Sequence, residues 1–485
     1  MAALSTARRT SERLPYKWIV AVIFVAGLFM DILDSTIVNV ALPVLGRQFH
    51  ASTASIEWIV LAYLLSLAIW IPASGWIGDR IGTRRTFLFA LAMFTAASAL
   101  CGQAHSLREL VAFRVLQGVG GGMLVPVGTA MLFRAFPPIE RARASTVLIV
   151  PTVVAPALGP VLGGWLVTDV SWRWIFYVNL PIGAFAFAVG FLFLREEREG
   201  VAGRFDLPGF VLSGGGLALV LLALSRGPEN GWRSPQVLVT GVAGVVMFSL
   251  LVLVETRITD PMLALRLFRE RMFRNANVVL TLTYGSFIGV IFLMPLYLQS
   301  LRGFTALQSG LTTFPQAIGV IASSQFVGRL YHRVGPRRLI VFGMLGLAAV
   351  TSPLAFVGLN TGLWTIRAIM FARGICMAFA FVPLQAATYA NISVADTGRA
   401  SAIYSTQRQV AAALGVATLG TVLLTRIHHA TAGVTDPHAL ARGALSGYHA
   451  AFFVGTILVA LAALSALLIH DEDAASTMRI AQPLA

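Results

Sequence analysis

Apolar runs of about twenty residues recur along this chain roughly fourteen times, the length a helix needs to cross a hydrocarbon layer of about 30 Å. Their centres fall near Val25, Ser66, Thr95, Gly122, Ala155, Val189, Gly216, Met247, Gly289, Gly319, Leu345, Met377, Gly415 and Thr456. Lipid offers no partners to backbone N–H and C=O groups, so runs of this length read as helices. With 57% hydrophobic and 12% charged residues, the chain is expected to be an all-α polytopic membrane protein. The first run is long, is basic at its start and ends in acids and Pro43 without a small-residue cleavage site. It is expected to stay as a helix, not to be cleaved as a signal peptide.

A net charge of +15 would point to nucleic acid in a soluble protein. Here most basic residues lie in short gaps between apolar runs, so the charge reports topology and no nucleic-acid partner is expected. With the N-terminus inside, gaps on the cytoplasmic side hold about 24 Lys and Arg and the opposite gaps about 9. An even number of spans then places both termini in the cytoplasm of a multi-pass protein of the cell inner (plasma) membrane. Cys101 and Cys376 both fall inside apolar runs, which gives neither a disulfide framework nor a metal-ligand spacing. "MLALRLFRERMFR" from Met262 interleaves Arg266, Arg269, Arg271 and Arg274 with Leu and Phe. That pattern predicts an interfacial amphipathic helix anchored on lipid, with a partner-binding helix as the alternative.

"GWIGDRIGTRR" at Gly75 and "GRLYHRVGPRR" at Gly328 repeat one another. Gly75, Arg80, Gly82, Arg84 and Arg85 match Gly328, Arg333, Gly335, Arg337 and Arg338. Each copy follows an apolar run and enters a predicted cytoplasmic gap, which predicts two duplicated helical bundles with the substrate site between them. The offset between copies exceeds what six helices with short loops need, and two helices near Gly216 and Met247 account for the excess. The expected organisation is a six-helix bundle over residues 1–200, two additional transmembrane helices over 201–260 and a second six-helix bundle over 261–485.

These residues resemble the major facilitator superfamily, and within it the fourteen-helix drug:proton antiporter branch, the EmrB/QacA-like proteins. "LDSTIVNVALP" (Leu33 to Pro43) is similar to that branch's first-helix signature, and "GWIGDRIGTRR" to the superfamily's loop motif. "RVLQGVGGGMLVP" from Arg114 resembles the fourth-helix motif, "PALGPVLGGWL" from Pro156 the antiporter motif of the fifth helix, and "WRWIFYVNLPIG" a further signature. Thr83 and His332 depart from the loop pattern, and Asp31 is extra in the first helix. The resemblance implies proton-coupled efflux of lipophilic drugs or toxic compounds by alternating access, without enzymatic activity. It needs no cofactor beyond the proton gradient. Export of a lipid or an endogenous metabolite by the same mechanism is the alternative, and a non-transporting membrane sensor or enzyme is the alternative from another class.

An ionisable group at mid-bilayer costs about 2.5–3.5 kcal/mol on insertion scales, so it needs a partner or a task. Asp31 and Asp34 share one helical face. On a cavity-facing surface, burial and mutual repulsion suit such a pair to exchange protons. Asp34 matches the family motif and is the candidate proton carrier, with Asp31 as modulator. The plainer alternative puts one Asp at the helix end in water. Arg114 is the only charge of its run, with Gln117, Gly118, Gly121 and Gly122 on the same face, and the resemblance implies that it tunes the acid. An Arg bonded to backbone carbonyls is the alternative. The resemblance assigns Gly75, Asp79, Arg80, Gly82, Arg84 and Arg85 to a gating loop, the alternative being an ordinary positive loop. Pro156, Gly159, Pro160, Gly163 and Gly164 form the antiporter-motif helix, where the small residues also allow close helix packing.

Candidate cavity residues are Asn39, Gln117, Gln299, Gln316 and Arg408, the last matching a family pattern in its helix. No buried Asp or Glu is placed in the apolar runs of the C-terminal half, which favours lipophilic neutral, anionic or monocationic substrates over divalent cations. A nucleotide-binding loop is excluded because Lys17 is the only lysine and G-x-x-x-x-G-K-[ST] does not occur. The eight His form no H-E-x-x-H, and no metal site is expected. His428, His429, His438 and His449 are assigned to an external loop, and Asn391 to an interior gap where glycosylation would not reach it. Protons, a small lipophilic substrate and membrane lipids are the expected partners of a monomer. A periplasmic adaptor and outer-membrane channel are left open.

Overall fold

A computed structural model describes residues 15–51, 53–196, 203–258 and 261–478. Every predicted run is a helix: α1 (Tyr16–Gln48), α2 (Trp58–Ile81), α3 (Thr83–Gln103), α4 (Leu107–Ala135), α5 (Arg141–Trp165), α6 (Asn179–Phe193), α7 (Gly216–Asn230), α8 (Pro235–Glu255), α9 (Arg271–Leu296), α10 (Pro315–Val334), α11 (Pro336–Thr351), α12 (Leu363–Thr388), α13 (Thr397–Thr431) and α14 (Pro437–Ala466). Among the described residues there is no strand, and 13 helices are long and apolar enough to cross a membrane. The remaining one, α10, carries Gln316, Ser323, Ser324, Arg329, His332 and Arg333, and its Gln316, Ser323 and Ser324 are buried. Gln316, Ser323 and Ser324 spend their polarity inside the protein, where hydropathy alone does not recognise a span.

Glycine sets the matched turns of the two halves. Gly82 (φ 105°) ends α2 and Gly335 (φ 85°) ends α10, each starting the next helix at once. Only glycine adopts this left-handed backbone without a Cβ penalty. The repeat in the sequence is therefore a repeated turn. In the first half α4 packs against α2 and α3, and α1 against α5; in the second α12 packs against α10 and α11, and α9 against α13. The added helices α7 and α8 pair with each other, and α7 rests on α13 and α2. On α8, Val239, Val242 and Val245 remain more than half exposed, a lipid-facing surface.

The halves meet where α5 packs on α10 and α12 and where α2 and α4 pack on α13. At the end carrying the two loop motifs, Phe133 stacks on Tyr389 at 4.2 Å, and Arg141 donates to the carbonyls of Tyr389 and Ala390. Ser476 also donates to the Ala390 carbonyl, and Thr477 bonds Tyr331 at 2.7 Å. The stretch Asp471–Met478 thus lies across the seam, touching Pro138–Glu140 of the first half and α10 of the second.

One sequence expectation is corrected and one alternative is set aside. The segment from Met262 holds only a short 3-10 turn, Leu265–Arg269, and Met262, Leu263, Ala264, Met272 and Phe273 are buried in the protein core. Arg266 pairs with Asp396 and Arg271 with Asp473, each at 2.7 Å. The bundle takes the apolar side chains that lipid was expected to take. The first helix also continues past Ile37 to Gln48, so Asp31 and Asp34 lie midway along it and not at a wet end.

Candidate functional site

Asp34 is fully buried on α1 and forms an ion pair with Arg114 of α4 at 2.5 Å. Gln117 and Asn179 also donate to the same carboxylate, at 2.9 and 3.0 Å. Arg114 donates further to the Gln117 side chain at 2.6 Å and to the Ile59 carbonyl at 3.0 Å. Asn179 donates in turn to Ser98 at 3.0 Å. A buried charge pair repays its desolvation only when the remaining donors and acceptors are also met; partners on α2, α3, α4 and α6 surround the Asp34 carboxylate and Arg114 here, and Asn179 Oδ1 alone among the named groups is buried without a partner.

Asp31 lies one turn earlier and accepts the Tyr63 hydroxyl. The ring of Tyr63 in turn carries the Arg114 guanidinium 4.1 Å from its centroid. Gly121 makes room for this arrangement, since a Cβ there would lie 2.8 Å from the Tyr63 hydroxyl and 3.0 Å from Asp31. Gly118 and Gly122 let α4 approach α2 so closely that a Cβ on either would lie 2.6 Å from an α2 atom. The glycine row of α4 is what brings Arg114 within reach of α1.

One further turn back on α1, Leu28 lines a cavity between the halves. Its wall includes Thr129, Thr152, Tyr284, Phe381, Gln385, Tyr404 and Arg408. Arg408 donates to the Tyr284 hydroxyl at 2.9 Å and lies over that ring at 4.8 Å. Asp31 and Arg408 are close enough for their charges to interact. A second cavity adjoins along α5, lined by Val153, Pro156, Ala157, Pro160, Ile291, Met294 and Gln316 among others. Beside it Arg373, almost fully buried, bonds Thr351 at 2.5 Å and Gln316 at 3.4 Å.

At the loop-motif end Asp79 accepts from Arg134 at 3.1 Å and faces the first turn of α13, where a Cβ on Gly398 would lie 3.2 Å from it. Arg84 donates to the Phe191 carbonyl at 2.6 Å, Arg85 approaches Glu196 at 3.5 Å, and Arg80 is exposed. The second copy is built otherwise: Tyr331 and His332, where the first has Gly78 and Asp79, hold Thr477.

The predicted residues fall into three groups. Asp31, Asp34 and Arg114 come together, joined by Gln117, which belongs to this network and not to the cavity wall. Pro156 and Pro160 line the second cavity, while Gly159 and Gly163 press α5 on α1 at Thr36 and Ile37, and Gly164 faces open space. Of the cavity candidates, Gln316 and Arg408 line cavities. Asn39 is exposed and bonds its own helix at Ser35, and Gln299 sits in the turn after α9 outside both linings. Sequence reasoning missed Tyr63, Ser98 and Asn179. Asn179 stands inside the quoted signature "WRWIFYVNLPIG" and was findable as a lone amide in an apolar run; Tyr63 gave no signal.

The Major Facilitator Superfamily model matches residues 24–416. The chain is 32% identical over 452 residues to the putative multidrug resistance protein MdtD of Serratia proteamaculans, covering 92% of this chain and 90% of that one. It is 33% identical to the multidrug resistance protein B homolog of Mycobacterium tuberculosis (82% and 74% covered). The same identity relates it to the uncharacterized MFS-type transporter YhcA of Bacillus subtilis (84% and 76%). The crystal structure of the human organic anion transporter MFSD10 superposes with a TM-score of 0.65 at 18% identity, covering 93% of this chain and all of that one. A duplicated helical architecture, matched loop turns and this breadth of likeness lead to one statement: the chain is a transporter of the major facilitator superfamily.

Proposed function

We propose that this protein exports lipophilic compounds across the cell inner membrane in exchange for protons, as a member of the fourteen-helix drug:proton antiporter branch. The observation that carries the reading is the ladder on α1. Leu28 at the cavity wall, Asp31 on Tyr63 and Asp34 on Arg114 stand on successive turns of one helix. A proton taken up by Asp34 removes the anion that holds Arg114, and the tie between α1 and α4 loosens. Release of that proton restores the pair. Asp31, next to the cavity, is the second acid of this path.

With both termini and the loop-motif end in the cytoplasm, the contacts of Arg141, Phe133 and Asp79 close the cytoplasmic side. The state described is then the outward-facing one, in which Asp79 sits against the start of α13. Rocking the halves about the cavity exchanges the two sides. The names of two relatives, both multidrug resistance proteins, support drug-like compounds as substrates. The gradient is the only energy source the reading requires, and a monomer suffices.

Inside-out vesicles carrying a pH-sensitive dye test the proposal. Adding a lipophilic substrate to energised vesicles is expected to drive protons outward in wild type and not in Asp34→Asn at matched expression. Equal proton movement in the variant removes Asp34 from the mechanism. Substrate accumulation without any proton movement removes antiport.

A further inference from the structure

Three arginines lie buried or half-buried within the helices near the cavities: Arg114, Arg373 and Arg408. Arg114 has its carboxylate at 2.5 Å, whereas among the described residues no acid lies within ion-pair distance of Arg408. Its Nε is buried without an acceptor, and its one hydrogen bond goes to the neutral hydroxyl of Tyr284. Asp31 senses its charge but is turned to Tyr63 and does not line the cavity. Among the described residues Arg408 is therefore the only charged one in the wall of the central cavity, which otherwise holds Tyr284, Phe381, Tyr404, aliphatic side chains and the neutral polar Thr129, Thr152 and Gln385. A guanidinium with no acid in contact and a buried donor left without an acceptor favours an anion at contact, where the hydrogen bonds are charge-assisted.

The neighbouring cavity supplies the rest of the shape. The two linings meet at Thr152 and Val153, consecutive residues of α5. From Leu148 to Pro160 they follow that helix for roughly 18 Å at 1.5 Å per residue. The second cavity is mostly apolar, with Val153, Pro156, Ala157, Ile291 and Met294 in its wall.

We propose that the substrate class is a single-chain amphipathic organic anion, with its acidic group on Arg408 in the central cavity and its apolar tail along α5 in the adjoining one. This deepens the transport reading and rests on it.

The probes are dansylaminoundecanoic acid, its neutral amide, its trimethylammonium analogue and the short acid dansylglycine. Their fluorescence is titrated on the protein in zwitterionic nanodiscs, with empty discs subtracted. The long acid is expected to bind at least about ten-fold more tightly than the amide and than dansylglycine. Arg408→Gln is expected to bring the acid-to-amide ratio close to one while the chain-length ratio persists. Ala157→Phe is expected to erase the chain-length ratio while the charge ratio persists. Equal binding of acid and amide, preference for the cation, no binding of any probe, or a parallel loss of all binding in Arg408→Gln with both ratios intact overturns the assignment. Displacement of the acid by anionic two-chain lipid doped into the discs overturns its single-chain form. Binding in discs needs no gradient, so a protein that shows these ratios yet moves no protons in vesicles refutes the antiport reading alone.

Discussion

Gly75 of α2 and Gly398 of α13 meet so closely that a Cβ on Gly75 would lie 3.0 Å from the Gly398 carbonyl oxygen. The neighbour is backbone and has no rotamer by which to yield. Gly75→Val is therefore expected to hold the loop-motif end apart while leaving each half folded. In a cysteine-free background, Ser401→Cys, buried at this end, is expected to react with a maleimide at least several-fold faster when Gly75 is Val. An unchanged labelling rate shows that this contact does not close the seam.

Removing one partner of a buried ion pair costs about 3–5 kcal/mol because the other charge is left behind. Asp34→Ala is expected to lower thermal stability on that scale, and adding Arg114→Gln is expected to restore most of it without restoring transport. Thermal unfolding in detergent, followed by vesicle transport on the same preparations, separates the two effects.

Gly121 tests the contact between Tyr63 and Asp31. Gly121→Ala displaces the hydroxyl or the carboxylate by a few tenths of an ångström, and Tyr63→Phe removes the hydrogen bond outright. Both are expected to fold and to lower transport by about ten-fold or more, as loss of one buried hydrogen bond to a charged group implies. Initial rates in vesicles at fixed pH check this, and undiminished rates in both place Asp31 outside the proton path.

Arg141 ties the two halves through the Tyr389 and Ala390 carbonyls. A hydrogen bond from a charged donor contributes about 1.5–3 kcal/mol. Arg141→Gln is therefore expected to shift the population away from closure at this end by about ten-fold or more. Distances between spin labels on the two halves at the loop-motif end check it.

The bidentate pair with Arg271 holds the Asp473 carboxyl below its ordinary range. Because the folded value is depressed, the pair's contribution is present above the ordinary carboxylate range and disappears as pH falls through that depressed value. Hydrogen exchange in Asp471–Met478 is expected to stay slow through neutral and mildly acidic pH and to rise only below the usual carboxylate range. Arg271→Gln is expected to remove that pH dependence.

Much of the fold was legible because the bilayer imposes one length and one backbone solution on every span. All fourteen predicted centres lie in helices, including Gly319 in α10, the least apolar of them. The acids and arginine of the first half were legible for the same reason: a charge in an apolar run stands out. Partners without charge did not stand out. Tyr63 reads as one more large residue among Leu and Ile, and Tyr284 and Tyr404 likewise, although these rings carry the two arginines and shape the cavity. Asn39 shows the converse, since a polar residue in a span can be satisfied by its own helix, while Gln299 lies in the turn after α9, outside both linings. The segment from Met262 misled because an amphipathic pattern does not say whether protein or lipid covers its apolar side.

The exposed valines of α8 bear on how such a chain survives outside a membrane. Val239, Val242, Val245, Val246 and Val252 are exposed on one helix, and β-branched side chains favour extended backbone wherever water can serve the peptide groups. Lipid withholds that service and enforces the helix. In a thinning detergent belt α8 is the first element released from this constraint, and it offers neighbouring molecules an uncharged, strand-forming surface. Aggregation on delipidation is expected to begin there.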